Sequence, residues 1–531
     1  QQEHITFLSE NDIFGHRLKK QIEKQKSQNA TNLSDLKEKD FVIHANHGIG
    51  QYHGLSRIPV QGIMNDFILL TYKDGDKLYM PVTSIDFLQR HHLTDEKVNI
   101  ALDKLGGQTW RNSKQKIKDH LVQQAYELLH LYAQRKQERG HAFSSSDDMY
   151  DQFVSLFPFT ETKDQEESIA EVIKDMMKPQ PMDRLICGDV GFGKTEVAMR
   201  AAMFAIKDKK QVAVLVPTTV LAQQHFTTFS ERFKNFPVTV ATLSRFQNSN
   251  EQRDIIAKAN NGEIDILIGT HKLFTRALNF KDLGLLVIDE EHRFGVKQKE
   301  NIKRMKPHID ILSLSATPLP RTLDMSLSGI RDISLITTPP VDRVAIQTTV
   351  HQFDETVIYA AIKKELERAG QVFFLHNHVH SIFAMAKYIE NLLPEAKISV
   401  AHGQMPEEQL EEVMVHFVTR KTNVLVCTTI IESGIDIPSV NTLIVNRADR
   451  LGLAQLYQLR GRVGRSSEQA YALFLLPLND MTVQAQKRIA VLQRFSELGS
   501  GFRIASHDLE IRGVGNLLGK EQSGHIKTIG Y

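Results

Sequence analysis

Apolar positions fall into three textures along the chain. Residues 1–35 are polar, rich in Lys and Gln, and carry no broad apolar face, which reads as a lead-in or linker. From about Lys39 come short alternating runs at 41–43, 67–72 and 77–80, separated by His-Gly, Gln-Gly and Asp-Gly turns. A period of two with glycine turns predicts a small antiparallel β-barrel over 36–100. Beyond Gly106-Gly107, Ile117, Leu121, Ala125, Leu128 and Tyr132 recur at spacings of three and four up to Gly140. That spacing predicts one long amphipathic connecting helix within 108–142. Its polar face carries Lys114, Lys116, Lys118, Arg135, Lys136 and Arg139, which suits solvent, DNA or another part of the chain equally.

The third texture alternates apolar β-rich runs with helical segments. The runs lie at 212–216, 238–243, 264–268 and 285–288, then at 372–375, 398–400, 424–427 and 443–445. Near-continuous apolar strands between helices predict parallel sheets covered on both faces. The Thr338-Pro339-Pro340 stretch divides them, giving one lobe over 150–340 and a second over 341–478. The remainder, 479–531, reads as a helical hairpin and loop with several glycine breaks. The fold class is α/β: two parallel-sheet lobes preceded by a small barrel and a connecting helix.

Composition changes this picture little. With 531 residues the chain exceeds one hydrophobic core, so several domains are required. The net charge of +2 excludes coating of nucleic acid by bulk charge, so any DNA site must be local. No run reaches the length of a membrane span and the polar N-terminus has no signal-peptide layout, so a cytoplasmic protein without a membrane partner is expected. The two cysteines, Cys187 and Cys427, end apolar runs far from any paired spacing, as buried reduced thiols do. His44 and His47 share a turn without metal-ligand spacing.

Three motifs carry chemistry. Gly188-Asp189-Val190-Gly191-Phe192-Gly193-Lys194-Thr195 fits the phosphate-loop pattern between an apolar strand and a helix. Backbone amides there can cradle ATP phosphates, Lys194 can reach the β and γ phosphates, and Thr195 can ligate Mg2+. The strand 285–288 runs into Asp289 and Glu290, with Asp289 suited to hold Mg2+ through water and Glu290 to activate the attacking water. An acidic strand end alone is usually a solvated turn; about a hundred residues downstream of a phosphate loop it reads as catalytic. In the second lobe, Gln458-Leu459-Arg460-Gly461-Arg462-Val463-Gly464-Arg465 offers rigid, permanently charged guanidinium forks for developing phosphoryl charge, with Arg462 and Arg465 as arginine fingers and Gln458 beside them. A basic surface loop is the plainer alternative.

These motifs make the chain similar to the superfamily 2 translocases of the group containing RecG and the transcription-repair coupling factors. Further matches are Phe159 to Gln165, the 217–224 segment, Gly269-Thr270-His271, Ser315-Ala316-Thr317-Pro318 and Glu432-Ser433-Gly434-Ile435-Asp436-Ile437-Pro438, in family order over roughly 150–470. The barrel segments Phe41 to Gly50 and Asp76 to Val82 resemble the polymerase-interaction domain, CarD- or Tudor-like, which favours the coupling-factor branch over RecG with its wedge for branched DNA. His292 stands where that branch commonly has Gln.

The resemblance implies RecA-like lobes that bind ATP and Mg2+ between them. Phe159 and Gln165 would recognise adenine, and Gly434 and Asp436 would complete the nucleotide site from the second lobe. Thr218, Thr219, Gln223, Gly269, Thr270, His271, Thr428 and Thr429 would grip one strand of double-stranded DNA. Arg488, Arg512 and Gln522 fall on a translocation motif that couples nucleotide state to movement. Ile58 would dock on the RNA polymerase β subunit. The implied activity is an ATP-dependent DNA translocase that acts on stalled polymerase without unwinding the duplex, with RecG-like fork remodelling, a polymerase-binding regulator with a vestigial ATPase and an RNA helicase as alternatives. UvrA contact is implied only through family domains outside this sequence, and without the family's autoinhibitory domain the ATPase should be deregulated.

Overall fold

The structure is a computed structural model. It describes residues 36–90 except 37, 45, 61 and 62; 102–106; positions 112, 115, 119 and 135; and 138–504 except 246, 295–307, 317–330, 341–342, 433–436, 465–467, 479–480, 496–498 and 502. Two compact units are formed, one from 1–127 with 512–531 and one from 128–511.

In the first unit, β1 (Phe41–His44), β2 (Gly48–Val60), β3 (Ile63–Thr71), β4 (Lys77–Pro81) and β5 (Leu88–Arg90) form an antiparallel sheet in the order β4-β3-β2-β1-β5. The expected barrel is a curled half-barrel: β5 is three residues long and pairs only with β1, so among the described residues the edges do not close. Alternation sends Val42, Tyr52, Ile68, Leu70, Met80 and Leu88 into one small core. Gly48 turns with φ +84°, and Asp103, whose Oδ2 accepts the Ile49 N–H at 2.8 Å, fills the space a side chain would need.

The second unit holds both lobes. The first is a seven-stranded parallel sheet of β6 (Asp183–Gly188), β7 (Gln211–Leu215), β8 (Val240–Leu243), β9 (Ile266–Gly269), β10 (Leu283–Ile288), β11 (Asp310–Ser315) and β12 (Asp332–Ile336), ordered β12-β6-β11-β10-β7-β9-β8. Around it lie α1 (Asp148–Ser155), α2 (Lys163–Met176), α3 (Lys194–Ile206), α4 (Thr219–Phe233) and α5 (Ser249–Asn261). The inner strands are buried along their whole length, which is why they read as unbroken apolar runs. Thr162 and Gln165 form a reciprocal capping box that starts α2, and Asn248 and Glu251 do the same for α5.

The second lobe is a six-stranded parallel sheet of β13 (Gln347–Gln352), β14 (Gln371–His376), β15 (Ile398–Ala401), β16 (Val424–Cys427), β17 (Val440–Asn446) and β18 (Tyr471–Leu476), ordered β13-β18-β17-β14-β16-β15. It carries α6 (Glu355–Glu367), α7 (Val379–Leu392), α8 (Glu407–Val418), α9 (Leu453–Arg460) and α10 (Val483–Arg494).

The helix expected within 108–142 is helical at the described positions 112, 115, 119 and 135, and the chain is irregular from Glu138 on. There Gly140 packs against the His308 carbonyl, 2.8 Å from where a Cβ would stand, and its N–H bonds to the Pro179 carbonyl at 2.8 Å. Arg135 enters the base of the first lobe and donates to the carbonyls of Met182 (3.1 Å) and Ile309 (2.9 Å). Both cysteines are buried free thiols. Among the described residues no helix is long and apolar enough to cross a membrane.

Candidate nucleotide and nucleic-acid site

Parallel α/β sheets present their ligands at the carboxyl ends of the strands. In the first lobe β6 delivers the loop 188–193 and β10 delivers Asp289 and Glu290, with β11 between them. Gly191 (φ +81°) and Gly193 (φ +76°) give the loop left-handed turns that a side chain would strain. Lys194 opens α3 and donates to the loop carbonyls of Gly188 (2.7 Å) and Asp189 (2.9 Å). Burial presses its ammonium below the ordinary value, against the pull of Glu290, Asp289 and Asp189.

Asp289 accepts the Glu290 N–H at 2.8 Å, and its other oxygen lies 2.7 Å from His225 Nε2. Burial works to raise the Asp289 carboxyl, but the His225 hydrogen bond and charge, with Lys194 behind them, outweigh it and hold the group below its usual value. Glu290 sits in the left-handed region (φ 49°, ψ 49°), a conformation that costs a non-glycine residue about 1–2 kcal/mol. Its neighbour Glu291 is gripped by Arg331, which donates to Glu291 (2.7 Å), Asp183 (2.9 Å) and Ser313 (2.7 Å).

The second lobe closes on these groups. Arg462 is 2% exposed, and its Nη2 donates to Glu290 Oε1 at 3.1 Å. Gln458 is buried on α9, four residues earlier. Asp189 also reaches across, accepting from the Tyr457 hydroxyl and from the Gly499 N–H at 3.1 Å. Arg343, in the segment between the lobes, donates to the Val190 carbonyl and lies over the Phe192 ring at 5.4 Å.

The other expected residues are distributed as follows. Gln165 is buried; its amide receives the Thr162 N–H (3.0 Å) and donates to the Phe192 carbonyl (2.9 Å), which ties α2 to the phosphate loop. Phe159 is 66% exposed and packs edge-on against Phe157. Thr195 is half-buried at the first turn of α3. Thr218 caps α4, Gln223 and His271 are exposed, and Thr270 and Thr428 are buried, at the carboxyl ends of β7, β9 and β16 with Gly269 and Thr429. Thr219 is buried and its hydroxyl donates to Glu411 of the second lobe. Arg488 on α10 donates to the Asp449 carbonyl at 2.9 Å. Gly434, Asp436, Arg465, Arg512, Gln522 and the side chain of His292 lie outside the described residues. In the first unit, Ile58 is half-buried on β2, opposite Asn65 of β3, with Leu55 (49% exposed) and Met64 (62% exposed) nearby.

Sequence reasoning missed His225, Arg331, Arg343 and Tyr457. A signal existed for one of them. Leu221, His225, Phe229 and Phe233 recur every four residues on α4, so His225 occupies a core-facing position where a polar group needs a partner.

Three family models match the chain: DEAD/DEAH box helicase over 162–326, helicase conserved C-terminal domain over 355–467, and CarD-like/TRCF RID domain over 36–92. With the paired sheets and the cleft between them, they define a superfamily 2 helicase-like ATPase that carries an RID domain. Transcription-repair-coupling factors of Myxococcus xanthus, Escherichia coli and Bacillus subtilis are 53%, 50% and 49% identical over 99% of this chain. The structure of RecG bound to a three-way DNA junction superimposes with a TM-score of 0.64 at 26% identity, over 88% of this chain and 70% of that one. The chain is thus similar to transcription-repair-coupling factors over nearly its whole length, and it spans 44–46% of the length of those three relatives.

Proposed function

We propose that this chain is the motor and polymerase-binding portion of a double-stranded DNA translocase that pushes or displaces stalled RNA polymerase in transcription-coupled repair. The observation that carries the motor is the 3.1 Å contact between Arg462 and Glu290, which puts a second-lobe guanidinium on the first lobe's candidate base. ATP binds between the lobes, and Lys194 exchanges the carbonyls of Gly188 and Asp189 for the β and γ phosphates. The Thr195 hydroxyl and Asp289 carboxylate are hard oxygen donors, which fits Mg2+; the ion supplies charge neutralisation on the phosphates. Glu290 takes the proton of the attacking water, and Arg462, with Arg465, meets the charge that develops on the γ-phosphoryl group.

Opening and closing of the cleft moves the strand-end segments at Thr218, Gly269 to His271 and Thr428-Thr429, with Gln223 on α4, along a phosphate backbone. Such contacts carry no sequence information, as stepping requires. In the RID domain, β2 runs on past its β1 partner at Gln51, and beyond Tyr52 that edge has no strand pair among the described residues. An unpaired edge on the strand that carries Leu55 and Ile58 suits strand addition by the polymerase β subunit.

Two assays test the reading. ATP hydrolysis should be stimulated by duplex DNA and not by RNA. A stalled elongation complex should be displaced with ATP, should stay put with a non-hydrolysable analogue, and should resist the Ile58→Arg variant. Unwinding of branched DNA without polymerase displacement would replace this reading with fork remodelling.

A further inference from the structure

We propose that Tyr457 is a positioning residue for ATP hydrolysis, setting the rotation of the helix that delivers Arg462 by anchoring it to the phosphate-loop carboxylate of Asp189. This rests on the role given to Arg462 above.

The helix in question, α9, is eight residues long, and Leu453, Leu456, Tyr457, Gln458, Leu459 and Arg460 are all buried. A helix buried on most of its circumference lacks the polar-out, apolar-in contrast that fixes the rotation of a surface helix. Its angle about its own axis must come from specific polar contacts. Two bracket its last turn: the Tyr457 hydroxyl on Asp189 in the first lobe, and Arg460 Nη1 on the Phe495 carbonyl at 2.9 Å in the second. Gly461 then passes Val190 so closely that a Cβ would stand 3.3 Å from the valine side chain. Arg462 follows at once, with its guanidinium on Glu290. The stretch from Tyr457 to Arg462 thus touches the first lobe three times, twice on phosphate-loop residues.

Asp189 is held as a hub. One carboxylate oxygen accepts from Tyr457 and from the Gly499 N–H; the other fills the space beside Gly501, where a Cβ would stand 2.0 Å from it. Gly499 itself has φ +81° and faces the Thr337 carbonyl, 2.4 Å from where its Cβ would stand. Two glycines with no room for a side chain enclose this carboxylate. Burial and the Asp189 charge both keep the Tyr457 phenol protonated, so it stays a donor. The main-chain carbonyl of Asp189 is meanwhile a partner of Lys194. One residue therefore joins the lysine that meets phosphate to the helix that aims the arginine.

The experiment is a double-mutant cycle on steady-state and single-turnover ATP hydrolysis, using the whole chain. Tyr457→Phe removes only the hydroxyl, and is expected to lower kcat roughly tenfold with KM for ATP changed less than about twofold, since about 1 Å of misplacement suffices for such losses. In an Arg462→Ala background the same substitution should change kcat by less than about twofold, because the group being aimed is gone. Gly501→Ala, which displaces the Asp189 carboxylate, should reproduce the kcat loss without adding to that of Tyr457→Phe. Equal tenfold losses in both backgrounds, or no loss in Tyr457→Phe, would overturn the proposal. Full activity of Arg462→Ala alone would instead remove the role of Arg462 on which the proposal stands.

Discussion

Arg331 is the most informative single residue to remove from the first lobe. Its side chain is 3% exposed, and its three donor nitrogens meet Asp183, Glu291 and Ser313, from β6, the turn after β10 and β11. Arg331→Met keeps the apolar stem and its approximate volume, and leaves two nearly buried carboxylates without their shared cation. Breaking a buried pair from one side costs about 3–5 kcal/mol, because the remaining charge stays desolvated. For a cooperative unit of about 150–250 residues each kcal/mol moves the midpoint by about 2–4 °C, so the transition of this lobe should fall by about 6–20 °C in a thermal scan. Activity should suffer separately. Glu291 follows Glu290, whose left-handed backbone persists because the surroundings hold it. With Glu291 released, the turn can relax and the Glu290 carboxylate can leave its proposed place beside the attacking water, so kcat measured well below the transition should fall at least about tenfold. Arg331→Lys restores charge without the fork and should recover stability only in part. A midpoint within about 2 °C of the parent, with kcat unchanged, would refute the reasoning, since neither the buried charge nor the strained turn would then depend on Arg331.

Two further outcomes are expected. Glu290→Gln keeps an oxygen for Arg462 and loses the proposed base, so hydrolysis should drop by about a hundredfold or more while nucleotide binding, followed by a fluorescent ATP analogue, persists. Asp310 is pushed up to about 7, chiefly by burial, and opposed by the Met182 N–H and by Arg135. A raised carboxyl contributes stability below its unfolded value near 4 and loses that contribution as pH rises through about 7. Asp310→Asn can still accept the Met182 N–H, so the parent's melting temperature minus that of the variant should fall between pH 5 and pH 8; a pH-independent difference would contradict the assignment.

The sequence made legible what depends on near neighbours. Glycine spacing, a preceding strand and a following helix specify a phosphate loop locally, and the apolar runs at 212–216 and 424–427 return as β7 and β16 with little change. Strands whose burial is made tolerable by distant partners were not legible. β11 lies between the two motif strands, yet Asp310, Ser313 and Ser315 interrupt its apolar pattern. Asp310 accepts the Met182 N–H at 2.7 Å and Ser313 accepts from Arg331, partners 128 and 18 residues away in the chain. No short window of the kind that reveals strand periodicity contains both the polar group and what satisfies it. The expected barrel returns as a curled half-barrel among the described residues: alternation predicts which faces pack, whereas closure depends on whether the edge strands are long enough to meet.

The candidate site divides in the same way, and the division bears on the proposed mechanism. Lys194, Asp289, Glu290 and Arg462 lie in motifs, and the motifs predict chemistry. His225, Arg331 and Tyr457 lie on ordinary-looking stretches of α4, the approach to β12 and α9, and they determine where those groups point. Each joins parts of the chain far apart in sequence: His225 to Asp289, Arg331 to Glu291, Tyr457 to Asp189. The proposed motor needs that second set as much as the first, because an arginine brought in from the other lobe contributes only while its helix is held in register. The Thr219 hydroxyl is a further link of this kind, joining α4 to Glu411 of the second lobe.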